Sequence, residues 1–142
     1  VGTWDAGPFD NDKAADFAGD LDDLVEDDRP FWIWAALEAA LQGEDVNGSD
    51  GDVAIAAAAI VASQCPGGDP CDPIYGPETP IPQLPEDLRP LALQAIDRVL
   101  GPKSELPELW GTGDQAQEWH ANVRRIRSVI GPEPPAVMEK ES

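Results

Sequence analysis

Positive charge is what this 142-residue chain has least of. Nine Lys and Arg stand against 28 Asp and Glu, for a formal net charge of −19. Such a field repels phosphate backbones, so nucleic-acid binding is not expected, and anionic membrane surfaces are excluded for the same reason. Long apolar runs are also missing. The longest, Val53 to Ala62, is about half of what crosses a bilayer. The sequence opens without the basic, apolar, small-residue order of a secretory signal, and a cytoplasmic location is expected. Histidine occurs once, at His120, and cysteine twice, at Cys65 and Cys71. Three such residues do not complete a four-ligand zinc site. The Pro-Gly-Gly-Asp-Pro between the cysteines is not the two-residue spacing of a redox pair. A disulfide across that turn is sterically open, and a reducing cytoplasm opposes it. No Gly-rich phosphate loop is present; the glycines mark helix ends.

Catalytic parts are equally sparse. His120 follows Trp119, and Asp114 and Glu118 are not spaced to orient its ring. A histidine at the rim of the core is the plain reading. A Cys65–His120–Asp triad assembled in space has no positive support. No catalytic residue, cofactor or metal is therefore expected. Asp45, Asn47 and Ser49 occupy the first, third and fifth positions of a calcium loop. The required Gly then falls on Asp50 and the closing Glu on Ala56. Starting at Asp10 puts Ala15 and Leu21 in those places, so neither segment is an EF-hand.

What is present is helical pattern. An apolar fraction of 42% and five tryptophans support a folded core, because disordered acidic chains are poor in aromatics. Abundant Asp, Ala, Gly and Pro with little Lys is a bias that a GC-rich genome or a salt-tolerant host also produces. Ala14, Phe17, Ala18, Leu21, Leu24 and Val25 recur at three and four, one face of an amphipathic helix. Asp16, Asp20, Asp23 and Asp27 recur on the opposite face, with Asp27 and Asp28 assigned to the following turn and cap. Residues 1–52 hold fifteen acids against Lys13 and Arg29, so the negative field is concentrated at the front.

Asp28-Arg29-Pro30 starts a second helix, with Pro in its first turn. From Phe31 to Gln42 only Glu38 and Gln42 are polar. This reads as a central helix, with Trp32 and Trp34 pointing to different, covered sides. Glu38 reads as either a buried carboxylate or a residue at the solvent edge. Gly43 stops the helix. Ser49 and Asp50 cap a third, over about 52–64, whose alanines permit close approach. Seven prolines and three glycines in 65–85 make a long irregular connector. A fourth helix begins at Pro85 with Leu88, Leu91, Ala92, Ala95, Ile96 and Val99 on one stripe, and Gly101-Pro102 ends it. A short turn from Ser104 to Trp110 follows. Asp114 then caps a fifth helix with Ala116, Trp119, Val123, Ile126 and Ile130 on its inner face. Arg124, Arg125 and Arg127, the one basic cluster, are expected to salt-bridge that helix to the acidic first one. The expectation is an all-α, compact five-helix single domain over 1–131, with the connector between helices 3 and 4 and a flexible 132–142 tail.

The opening Gly2-Thr3-Trp4-Asp5-Ala6-Gly7-Pro8-Phe9-Asp10-Asn11-Asp12 is the most specific stretch. With Ala14-Ala15-Asp16-Phe17, Asp20-Leu21-Asp22, the Ser104–Trp110 segment and Trp119, it resembles a bacterial family, the domain of unknown function 4259 family. The resemblance covers most of the chain and implies no reaction. Each motif residue has a turn or capping role, so a helix-entry device is its first reading. The second has Trp4, Asp5, Asp10 and Asp12 line a pocket.

Function is expected at the level of binding. The acidic stripe Asp16, Asp20, Asp23, Asp27 reads as a solvated face, as a docking face for a basic protein partner, or as a mimic of phosphate spacing. The leading reading is a small regulatory module, immunity- or antitoxin-like, docking a basic partner through the first helix. The alternative is a small-molecule-binding protein or enzyme with a pocket around Trp32, Trp34 and Trp110. A third is a structural subunit, whose sign is an exposed apolar patch on the second helix.

Overall fold

A computed structural model describes residues 12–65 and 83–131. The opening motif with Trp4 and Asp5, most of the Pro-rich connector including Cys71, and the 132–142 tail lie outside the described residues. The described chain is all-α, as expected. It runs α1 (Asp12–Asp23), a 3-10 turn (Glu26–Asp28), α2 (Arg29–Ala39), α3 (Gly48–Ser63), α4 (Leu88–Leu100), α5 (Leu106–Trp110) and α6 (Asp114–Ile130). The count is six rather than five because the segment read as a turn before Trp110 closes into a five-residue helix.

The inner faces follow the sequence periodicity. Ala14, Phe17, Ala18 and Leu21 of α1 are buried, as are Leu88, Ala92, Ala95, Ile96 and Val99 of α4 and Ala116, Trp119, Val123 and Ile130 of α6. Each Leu- or Ile-sized side chain so buried contributes roughly 1.5–3 kcal/mol. Val25 departs from the stripe. α1 ends at Asp23, so Val25 falls in the following turn and is exposed.

The central element is α3, not α2. Every other α-helix packs against it, and Ala54, Ala56, Ala57, Ala58 and Ala62 are all buried along its length. Small side chains let partner axes approach toward the short end of the roughly 8–10 Å range. By contrast α2 buries only Ile33, Ala36 and Leu37 among its own residues. α3 also starts earlier than its Ser49 and Asp50 imply. Asn47 is the N-cap, its Oδ1 accepting from the Asp50 N–H at 2.8 Å.

Two features hold the distant connections. Residues Val46 and Ser104 form an isolated parallel bridge, with Val46 N–H donating to the Lys103 carbonyl and Glu105 N–H to the Val46 carbonyl, both at 2.9 Å. Glu105 Oε1 then accepts from the Gly48 N–H at 2.8 Å, satisfying a free donor of the α3 N-terminus. Past the connector, Leu84 N–H donates to Gln64 Oε1 at 2.8 Å, which returns the chain to the end of α3.

Arginines close three helix C-termini. Arg29 donates to the Leu21 and Leu24 carbonyls at 3.2 and 3.0 Å. Arg89 donates twice to the Ile130 carbonyl, at 3.1 and 2.7 Å. Arg98 reaches the carbonyls of Ala40, Gly43 and Glu44. A guanidinium beside the last carbonyls of a helix supplies donors there and opposes the negative end of the dipole.

Arg98→Lys is expected to lower stability by about 1–2 kcal/mol, because one ammonium cannot span three carbonyls that a planar fork reaches. Two glycine variants give opposite signs in urea denaturation. A Cβ on Gly51 would sit 2.8 Å from Cδ1 of the buried Leu106. Gly51→Ala therefore destabilises by about 1 kcal/mol, the overpacking outweighing the gain in helix propensity. Gly19 lies on the exposed side of α1 with nothing within 4 Å of an added Cβ. Gly19→Ala stabilises by about 0.5–1 kcal/mol.

Candidate functional site

The acidic residues end where the periodicity directs them. Asp16, Asp20 and Asp23 are exposed along α1, and Asp27 is exposed on the 3-10 turn that continues it. Among the described residues, no ion pair or side-chain hydrogen bond engages any of the four. Like charges three and four apart on a helix repel by a few tenths of a kcal/mol per pair, so this face is mildly unfavourable for folding. Among the described residues, the arginine cluster pairs with none of these four. Arg127 forks onto Asp97 of α4 at 2.8 and 3.2 Å, because α6 packs on α3 and α4. Lys103 pairs with the Glu44 carboxylate at 4.0 Å.

Beside this face lies an aromatic surface on α2. Phe31 is 65% exposed, Trp34 43% and Trp32 37%. The expectation that both sides of this helix are covered is corrected here. Only one side of α2 meets α3 and α4, so the flanking rings remain in solvent. Phe31 and Trp34 stack on each other with centroids 5.7 Å apart, and Trp32 stacks on Phe17 of α1 at 6.4 Å. The latter contact joins the aromatic surface to the acidic helix. Glu38, one turn beyond Trp34, is half-buried at the solvent edge, its Oε1 accepting from Gln42 Nε2 at 3.2 Å.

Trp110 belongs to a different group. It is half-buried and stacks on the buried Trp119 at 5.8 Å, and His120 presents its ring edge-on to Trp119 at 4.9 Å. Trp32, Trp34 and Trp110 thus pair with three different rings. His120 sits at the core rim, with Nδ1 buried and without a hydrogen-bond partner; Ser104 Oγ is likewise buried and unpaired. Cys65 carries a free thiol whose Sγ donates to the Val61 carbonyl at 3.4 Å. Among the described residues, no three His, Cys, Asp or Glu side chains are grouped to hold a metal ion, and no helix is long and apolar enough to cross a membrane. The Asp45–Asp50 segment, weighed as a cation loop, serves α3. Asn47 caps the helix and its Nδ2 donates to Asp50 Oδ2 at 3.2 Å.

A family model for a domain of unknown function (DUF4259) matches residues 2–122. The chain belongs to that family. No curated protein and no solved structure matches it. The DUF4259 match takes in the acidic helix, the α2 aromatics, Asp52 and His120, and ends within α6.

One titrating group escaped the sequence reading. Asp52, on α3, is partly buried, and desolvation raises its carboxyl from 3.8 to about 6. The folded state therefore holds this proton more tightly than the unfolded chain. Stability from Asp52 falls as pH rises from 3.8 toward about 6, and it is restored on acidification. Asp52→Asn is expected to gain of order 1 kcal/mol at neutral pH, a figure reduced for solvent screening at a partly exposed site, and nothing below about pH 4. Urea denaturation of both proteins across that range is the check; two curves that stay parallel would contradict it.

Proposed function

We propose that this protein is a small acidic regulatory module of the cytoplasm that docks a basic protein partner. Its action is of the immunity or antitoxin kind, in which an acidic face neutralises a basic protein by covering it. The observation that carries the reading is the row of exposed carboxylates Asp16, Asp20, Asp23 and Asp27, none engaged within the described residues. Among the described residues no cation pairs with that row, so its repulsion is left for an external cation to relieve. The excess of 28 acidic over nine basic residues extends the field and steers association. The separate ring pairings of Trp32, Trp34 and Trp110 favour docking over a shared Trp-lined pocket.

Salt separates this reading from its rivals. A tagged protein is expected to recover one basic protein from its native host at about 50 mM salt and lose it at about 500 mM, since exposed charges are screened over a few Å at the higher value. Replacing Asp16, Asp20, Asp23 and Asp27 together by Asn is expected to abolish recovery at low salt. A complex that survives high salt unchanged would refute docking through this face.

A further inference from the structure

We infer that Phe31 and Trp34, flanked by Trp32, form the apolar anchor of an interface whose occupant is an arginine-bearing amphipathic segment of a protein partner. The inference rests on the docking reading above and adds to it the seat of the contact and the chemistry of the occupant.

The anchor is recognisable by its exposure. Large rings are normally among the more buried side chains of a small protein, yet Phe31, Trp32 and Trp34 of α2 are open to solvent by 37–65%. Phe31 and Trp34 are already stacked on one another. Rings held in place lose little side-chain entropy when a partner covers them, the property that makes aromatics strong interface anchors.

Charge selects the occupant. The anchor is bracketed along the chain by carboxylates: exposed Asp27 and Asp28, in the 3-10 turn, lie four and three residues before Phe31, and Glu38 lies one helical turn after Trp34. The nearest base, Arg29, directs its guanidinium to the Leu21 and Leu24 carbonyls of α1. A second copy of this chain would bring the same acidic brackets and another net charge of −19 to the contact, which opposes self-docking. An anionic lipid surface is repelled in the same way. A basic segment with an apolar side satisfies both halves of the surface. Arginine suits it better than lysine, because a guanidinium stacks flat on an aromatic face while forking onto a neighbouring carboxylate.

The test uses the full chain and three synthetic helical peptides of equal length. One carries Leu on one face and Arg on the other, the second replaces Arg by Lys, and the third scrambles the first. Affinities are measured by calorimetry over a salt series, with the tryptophan indole N–H signals followed by NMR. The amphipathic Arg peptide is expected to bind about tenfold more tightly than either control and to shift the Trp32 and Trp34 signals. Phe31→Ala with Trp34→Ala is expected to erase that tenfold preference while the salt dependence remains. If the double variant melts early, Phe31→Gln alone, at the most exposed of the three positions, carries the same comparison. Unchanged affinity in the ring variants, with salt dependence intact, would overturn the anchor and leave acidic docking standing. Salt-independent binding lost in the ring variants would do the reverse, upholding the anchor and refuting its charged occupant. Failure of every peptide to bind, or a ring-dependent dimer of the chain itself, would overturn the inference.

Discussion

Everything in this fold is arranged around a helix with little side-chain volume. α3 is buried on nearly all sides, and its buried positions are mostly alanine. Alanine supplies almost no reach of its own, so its neighbours must bring the larger groups: Leu21 from α1, Ile33 and Leu37 from α2, Ile96 and Val99 from α4, Val123 and Ile130 from α6. Such an axis can be surrounded by several helices at once because none is held away by bulk. The same constraint explains Gly51, where the backbone of α3 lies against Leu106 with no room for a methyl group. It also leaves α2 peripheral. A helix apolar on all sides is ordinarily central, but the centre is already occupied, and the rings α2 cannot bury face outward.

The scarce basic residues explain why the outer surface stays so negative. Arg29, Arg89 and Arg98 turn toward helix C-termini, and Arg127 lies on Asp97. In each cap the guanidinium supplies hydrogen-bond donors and a charge that the helix end favours. Arg29 has a particular duty, because Asp22 and Asp23 lie in the last turn of α1, where negative charge opposes the dipole. Cations used inside the fold are not available to offset Asp16, Asp20, Asp23 and Asp27 outside it. Internal architecture and external field are therefore two results of one distribution of charge. The proposed docking function draws on that field for approach and on the α2 rings for contact.

The hydrophobic stripes of α1, α4 and α6 were legible because amphipathic helices write their buried face into local spacing. The acidic row was legible for the same reason. That no described residue pairs with it was not, since that depends on where cations such as Arg127 land, and Asp97, which Arg127 holds, is 30 residues away. Trp32 and Trp34 were misread as covered because an all-apolar stretch has no periodicity to show which side loses the competition for the core. Asp52 looks in sequence like one more polar residue near a helix start, and its carboxyl is raised by burial, which arises only once the helices pack.

Sequence alone determined that this chain is helical and acidic at its front, and a family model matches it over residues 2–122. Tertiary structure decided which helix is central, which rings remain in solvent and which carbonyls the arginines close. The division has a physical cause. Helix periodicity and capping act over three or four residues, within reach of a local pattern. Arg98 reaches Ala40 across 58 residues, and Glu105 reaches Gly48 across 57; contacts of that range exist only after the helices have packed.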